Sequence, residues 1–158
     1  MKRNSVVLAA ALVLGSSVPA VADHGEAGDA GAKLLGHYSR IYEALVADST
    51  AGVAEAAAQL AAEARSRAHH GDAATLEALA AAAEKVKGGD LKALREPFKG
   101  LSVAMDGFLR KAGTKGWSLY YCPMADGYWL QTADGVRNPY YGASMLRCGD
   151  KVPEVKKG

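Results

Sequence analysis

Residues 33–47, KLLGHYSRIYEALVA, decide how the rest of the chain is read. Leu34, Leu35, Tyr38, Ile41, Tyr42, Leu45 and Val46 return at three- and four-residue spacing, which places them on one apolar stripe of an α-helix. Asp48-Ser49-Thr50 then supplies a stop and a fresh N-cap. A second stripe runs to about Ala68 through Val53, Ala56, Ala57, Leu60, Ala61 and Ala64, and its alanines allow close helix approach. His69-His70-Gly71-Asp72 reads as a turn, with Asp72 capping a third helix whose stripe is Leu76, Leu79, Ala80, Ala83 and Val86 and which Gly88-Gly89 terminates. Asp90 caps a fourth segment in which Leu91, Leu94, Phe98, Leu101, Met105 and Phe108 hold helical phase across Pro97. The helix either kinks at Pro97 or restarts after a short first piece. Four amphipathic helices joined by a few residues each predict a mainly α fold, an up-down four-helix bundle over residues 33–112, because short links force neighbours to pack antiparallel.

On the N-terminal side, residues 23–32, DHGEAGDAGA, are small, polar and glycine-rich and predict a flexible tail. Residues 1–22 read as a secretory signal peptide: Lys2 and Arg3 are the charged start, Val6 to Gly15 the apolar run, and Ala20-Val21-Ala22 a small-x-small cleavage site. The apolar run is too short to anchor the chain. The expectation is a mature chain from Asp23, periplasmic or secreted, with no membrane span. Loss of Lys2 and Arg3 brings the 19 Lys+Arg level with the 17 Asp+Glu, so bulk charge gives no case for a nucleic-acid partner. The length fits one domain with a modest core.

From Gly113 onward the composition changes abruptly. This part holds five of the seven tyrosines and both tryptophans and cysteines, with little helical periodicity. It reads as an irregular, β-hairpin module over residues 113–150, packed on the bundle, with residues 151–158 as a frayed tail. Ser118 to Cys122 and Tyr128 to Gln131 look like short strands, and Ala133-Asp134-Gly135 supplies hairpin-turn chemistry.

The module's sharpest feature is a Cys/Met cluster: Cys122-Pro123-Met124 and Met145-Leu146-Arg147-Cys148-Gly149. In an extended strand, side chains two apart share a face, so Cys122 and Met124 can point to one place. In a helical turn, side chains three apart share a face, so Met145 and Cys148 can do likewise. Two thiolates and two thioethers brought together form a soft donor set suited to Cu(I), with Ag(I) or Zn(II) as lesser candidates. The rival reading is a Cys122–Cys148 disulfide and no metal. Closing that loop of about 27 residues adds about 3.5 kcal/mol on the chain-entropy model. The two need not exclude each other over time, since a pair that binds metal when reduced can close when oxidised. His69 and His70 read as solvated turn residues, and Asn138 as a partner for the local backbone. No Ser-His-Asp arrangement, phosphate-binding glycine loop or carboxylate pair points to an enzyme.

Tyr121-Cys122-Pro123-Met124-Ala125, Trp129-Leu130, Asn138-Pro139-Tyr140-Tyr141-Gly142 and Met145-Leu146-x-Cys148-Gly149 together resemble the signature of a family of uncharacterised exported domains. Members occur alone or fused to periplasmic adaptor (membrane-fusion) subunits of copper/silver-type heavy-metal efflux systems. The helical part is similar more diffusely, through Tyr38-x-x-Ile41-Tyr42-x-Ala44-Leu45 and Phe98-x-x-Leu101-Ser102. The resemblance implies a helical domain carrying the sulfur-bearing segment, with Cys122, Met124, Met145 and Cys148 at the motif positions. It also implies a role in metal handling, with a periplasmic efflux adaptor or metallochaperone as the protein partner.

Overall fold

Each apolar stripe forms a helix, but the third ends at Glu84, short of Val86 and of the Gly88-Gly89 expected to terminate it. A computed structural model describes residues 24–69 and 72–153, and in it α1 spans His24–Val46, α2 Val53–Ala68, α3 Ala73–Glu84 and α4 Leu91–Ala112. The segment read as an export signal lies outside the described residues, as do His70 and residues 154–158. None of the described helices is long and apolar enough to cross a membrane. Most residues chosen from periodicity are buried, among them Leu34, Tyr38, Ile41 and Leu45 of α1, Val53, Leu60 and Ala64 of α2, Leu79, Ala80 and Ala83 of α3, and Leu94, Phe98, Leu101 and Met105 of α4, whereas Leu35 and Leu91 are half-buried. α1 packs against α2 and α4, α2 against α3, and α3 against α4.

Two expectations about the helices change. The stretch read as a flexible tail, residues 23–32, is helical from His24. Its glycines suggested a break, but extending a helix already nucleated by the packed stripe from Leu34 onward adds one hydrogen bond per residue fixed, and the interspersed alanines favour it. Pro97 neither splits nor ends α4, which continues through it. Phe98, Leu101, Met105 and Leu109 beyond the proline are all buried, and that burial outweighs the one ladder hydrogen bond the proline cannot make. The ends of α4 are well specified, whereas α2 begins after Gly52 with no side-chain cap from the Asp48-Ser49-Thr50 turn. Asp90 accepts from the Ala93 N–H at 2.8 Å, and Gly113, at φ 68°, lets the Thr114 N–H return to the Leu109 carbonyl at 3.1 Å.

The C-terminal module is a small antiparallel sheet ordered β2-β1-β3, with β1 Ser118–Cys122, β2 Gly127–Gln131 and β3 Asp150–Lys151. β1 and β2 pair with Cys122 opposite Gly127 and Tyr120 opposite Trp129. The hairpin turn is therefore Pro123–Asp126, ahead of the Ala133-Asp134-Gly135 turn that composition favours. Lys151, expected in a frayed tail, pairs with Tyr120, and the Val152 N–H donates to Leu119 O at 2.8 Å. The outer edge of β2 is closed by two tyrosine hydroxyls. The Leu130 N–H donates to Tyr38 Oη of α1 at 3.1 Å, and the Tyr140 hydroxyl donates to the Tyr128 carbonyl. Edge groups paired this way offer no template to another strand. Trp129, Leu130, Tyr120 and Tyr140 join the helical stripes in one core, with Tyr38 stacked on Phe98 at 5.1 Å and Trp129 on Tyr120 at 5.4 Å.

Candidate functional site: a thiol pair beneath the hairpin turn

Antiparallel pairing of β1 with β3 sets the site. Tyr121 lies opposite Asp150, so the next pair along brings the end of β1, Cys122, to the approach of β3. Cys148 reaches it from a turn closed by its own N–H on Met145 O at 3.0 Å, after a short 3-10 turn over Gly142–Ser144. The two sulfurs lie 3.1 Å apart, and both cysteines are free thiols. Gly149 makes this approach possible. At φ 125° it occupies backbone space that side chains avoid, and a Cβ there would stand 2.6 Å from Trp129 Cη2 and 2.9 Å from Tyr121 O.

The pair is asymmetric. Cys122 has no solvent exposure, whereas Cys148 is half-buried. Burial pushes the Cys122 thiol up, but hydrogen bonds from the Cys148 thiol, from the backbone N–H groups of Ala125 and Met124 and from the Asn138 side chain outweigh it and bring it below its usual value. The turn after Cys122 thus wraps its amides around the sulfur. Cys148, as donor to Cys122, is held above its usual value, with burial and the Asp150 carboxylate adding to the effect. Buried Asn138 braces both sides: its Nδ2 donates to Cys148 O at 2.7 Å, and its Oδ1 accepts from the Tyr140 N–H at 2.7 Å. This is the local backbone role its sequence position suggested.

Met124 is placed differently from the strand geometry that the sequence predicts for it. β1 ends at Cys122, so Met124 sits on the turn rather than two along an extended strand, and it is 64% exposed while Cys122 is fully buried. Its carbonyl accepts from the Tyr141 hydroxyl at 3.0 Å. Met145, half-buried, begins the turn that carries Cys148, its carbonyl accepting from the Cys148 N–H at 3.0 Å. The two cysteines are brought together; Met124 stands at the surface beside them. Among the described residues no group of three or more His, Cys, Asp or Glu side chains is arranged to hold a metal.

Sequence reasoning missed the polar residues that hold the module to the helices. Arg95 of α4 donates to Leu45 O at 2.9 Å and to Pro139 O at 2.7 Å, and pairs with Asp48. Buried Gln131 accepts from the Tyr42 hydroxyl, Trp129 Nε1 and the Arg137 N–H. Nothing local in the sequence marks Arg95, whose partners lie 44 to 50 residues away, and Gln131 joins near neighbours to the distant Tyr42.

No curated protein and no solved structure matches this chain. A family model described as "Protein of unknown function (DUF3347)" matches residues 34–115. The matched span is the helical part and stops ahead of β1, so residues 121–149, where the motif resemblance is most specific, fall beyond it. Because the match takes in more than half of the sequence, the chain belongs to this family of uncharacterised domains.

Proposed function

We propose that this is an exported soft-metal binding module that takes Cu(I) between the thiolates of Cys122 and Cys148, with Ag(I) or Zn(II) as lesser candidates. Met145 and Met124 serve as auxiliary thioether donors, and the four helices form the up-down bundle that carries them. The observation that carries this reading is the free thiol pair 3.1 Å apart, one sulfur of which receives N–H donors from the turn around it. Thiolates are the ligands, and groups that stabilise a thiolate favour metal capture over proton binding. At the metal–sulfur bonds of about 2.3 Å typical of tetrahedral zinc the sulfurs stand about 3.8 Å apart, so the pair would open by roughly 0.7 Å on loading such an ion. Cys148, on a turn rather than in a strand, is the side that gives.

The chemistry is ligand exchange, with no bond made in a substrate, in a periplasmic or secreted setting. The metal passes to or from an efflux adaptor or metallochaperone carrying soft ligands of its own. Titration of the reduced protein with Cu(I) against a competing chelator tests this. Uptake of one equivalent that disappears in Cys122→Ser/Cys148→Ser supports it. No uptake by the wild type, or uptake that survives the double substitution, removes it.

The same separation favours a second reading, a disulfide-stapled envelope interaction module that binds no metal. Thiol counting on protein taken directly from its native compartment separates the two. Two titratable thiols, or a thiol-bound metal, favour the metal reading, and none of either favours the staple.

A further inference from the structure

We propose that Cys122 and Cys148 exchange with low-molecular-weight disulfides in a fixed order, Cys148 forming the mixed disulfide and Cys122 resolving it. This needs no metal and goes beyond a static staple, since it assigns a separate role to each sulfur. Exchange requires the attacking sulfur to reach the disulfide, so access selects the first nucleophile. Cys122 has none: it is fully buried at the end of β1, beneath the Pro123–Asp126 turn. Cys148 is half-buried, on an irregular segment between the 3-10 turn and β3. Once Cys148 is capped, its sulfur lies within reach of Cys122 with little backbone movement, the two being 3.1 Å apart in the reduced protein.

Cys148 loses its proton to solvent base, and its thiolate attacks one sulfur of R–S–S–R, expelling R–S⁻ and leaving Cys148–S–S–R. Cys122 in turn loses its proton to solvent base, and its thiolate attacks Cys148 Sγ, expelling the second R–S⁻ and forming Cys122–Cys148. The protein loses two electrons, and the small disulfide is reduced to two thiols.

The test uses the reduced full chain in the presence of a metal chelator and oxidised glutathione, quenched with acid and followed by mass spectrometry. Wild type is expected to pass to the internal disulfide with little glutathione adduct. Cys122→Ser is expected to accumulate the adduct on Cys148, while Cys148→Ser forms an adduct on Cys122 at least ~10-fold more slowly, as expected for a thiol without solvent access. A Cys148→Ser adduct forming as fast as that of Cys122→Ser, or a persistent adduct in wild type, overturns the order. Should a serine variant lose its helical circular dichroism, limiting iodoacetamide on the folded wild type decides with peptide mapping. Cys148 labelled at least ~10-fold ahead of Cys122 upholds the proposal, and equal labelling overturns it.

Discussion

Gln131 holds more of this molecule together than any other single polar side chain described above. Its Oε1 accepts from the Tyr42 hydroxyl at 3.1 Å, Trp129 Nε1 at 2.9 Å and the Arg137 N–H at 3.3 Å, and its Nε2 donates to Ala133 O at 2.8 Å. It is 3% exposed, and Tyr42 and Trp129, two of these partners, are buried with it. Gln131→Leu keeps the volume and removes every bond, and the unpaired groups are expected to cost about 2–4 kcal/mol. Urea unfolding measures it; a change below about 0.5 kcal/mol would show the partners finding replacements. A glutamine at the end of an alternating strand ordinarily reads as solvated, so this hub was not legible in the sequence. Gly149 carries a second prediction. Gly149→Ala forces a Cβ toward Trp129 and Tyr121 at a backbone conformation that disfavours side chains, and is expected to cost about 1–3 kcal/mol. It should also slow closure of the thiol pair, since the strain is relieved by moving Cys148 away. Unchanged urea midpoint and closure rate in that variant would refute the account of the close approach.

Among the elements, α4 is where sequence and structure differ most instructively. Its stripe is legible on both sides of Pro97, but the cost of one missing hydrogen bond against five buried apolar side chains depends on what the far half packs against, which no local pattern states. The same holds at the other end of the chain: β3 is two residues long and exists because β1 is there to pair with it. The hairpin turn was misplaced because Ala133-Asp134-Gly135 has the better turn composition, while the observed turn is set by Pro123 and by Asp126 in the left-handed region at φ 46°. Pro97→Ala is expected to raise stability by about 1–3 kcal/mol by restoring the N–H that the helix ladder lacks. An unchanged or lowered urea midpoint would mean the proline ring's own packing matters more. α3 gives a pH dependence. The hydrogen bond from Lys111 of α4, with those from Thr75, lowers the Asp72 carboxyl to about 2. A carboxyl depressed on folding stabilises above its unfolded value of about 4 and loses that contribution as pH falls towards 2. The gap in melting temperature between wild type and Asp72→Asn is therefore expected to be full at neutral pH and to close between about pH 4 and 2. A gap constant over that range would remove the Asp72–Lys111 tie as its source.

At the scale of the whole molecule, the helices and the sheet share one core and one set of polar ties, so neither has a boundary along which to come apart. Tyr38 joins α1 to Ser102 of α4 at 2.7 Å and to the β2 edge through Leu130, Tyr42 reaches Arg137 O at 3.0 Å, and Arg95 ties the end of α1 to the segment after β2. Without the sheet, the faces of Tyr38 and Phe98 that meet Leu130 and Tyr140 would be bare. Folding as one cooperative unit follows. Both tryptophans lie in the module, so their fluorescence reports the sheet while far-ultraviolet circular dichroism reports the helices. The two probes are expected to give one urea transition. Closing the thiol pair sharpens the argument, because Cys122 and Cys148 both lie in the module and the loop between them contains no helical residue of α1 to α4. If the parts were independent, the crosslink would raise the fluorescence midpoint and leave the helical one where it was. Coupled as the contacts require, both midpoints rise together, by an amount corresponding to about 3.5 kcal/mol for a loop of this length. Oxidised and reduced protein compared with both probes decide it, and a shift confined to fluorescence would show that the tyrosine and arginine ties do not bind the two parts into one cooperative whole.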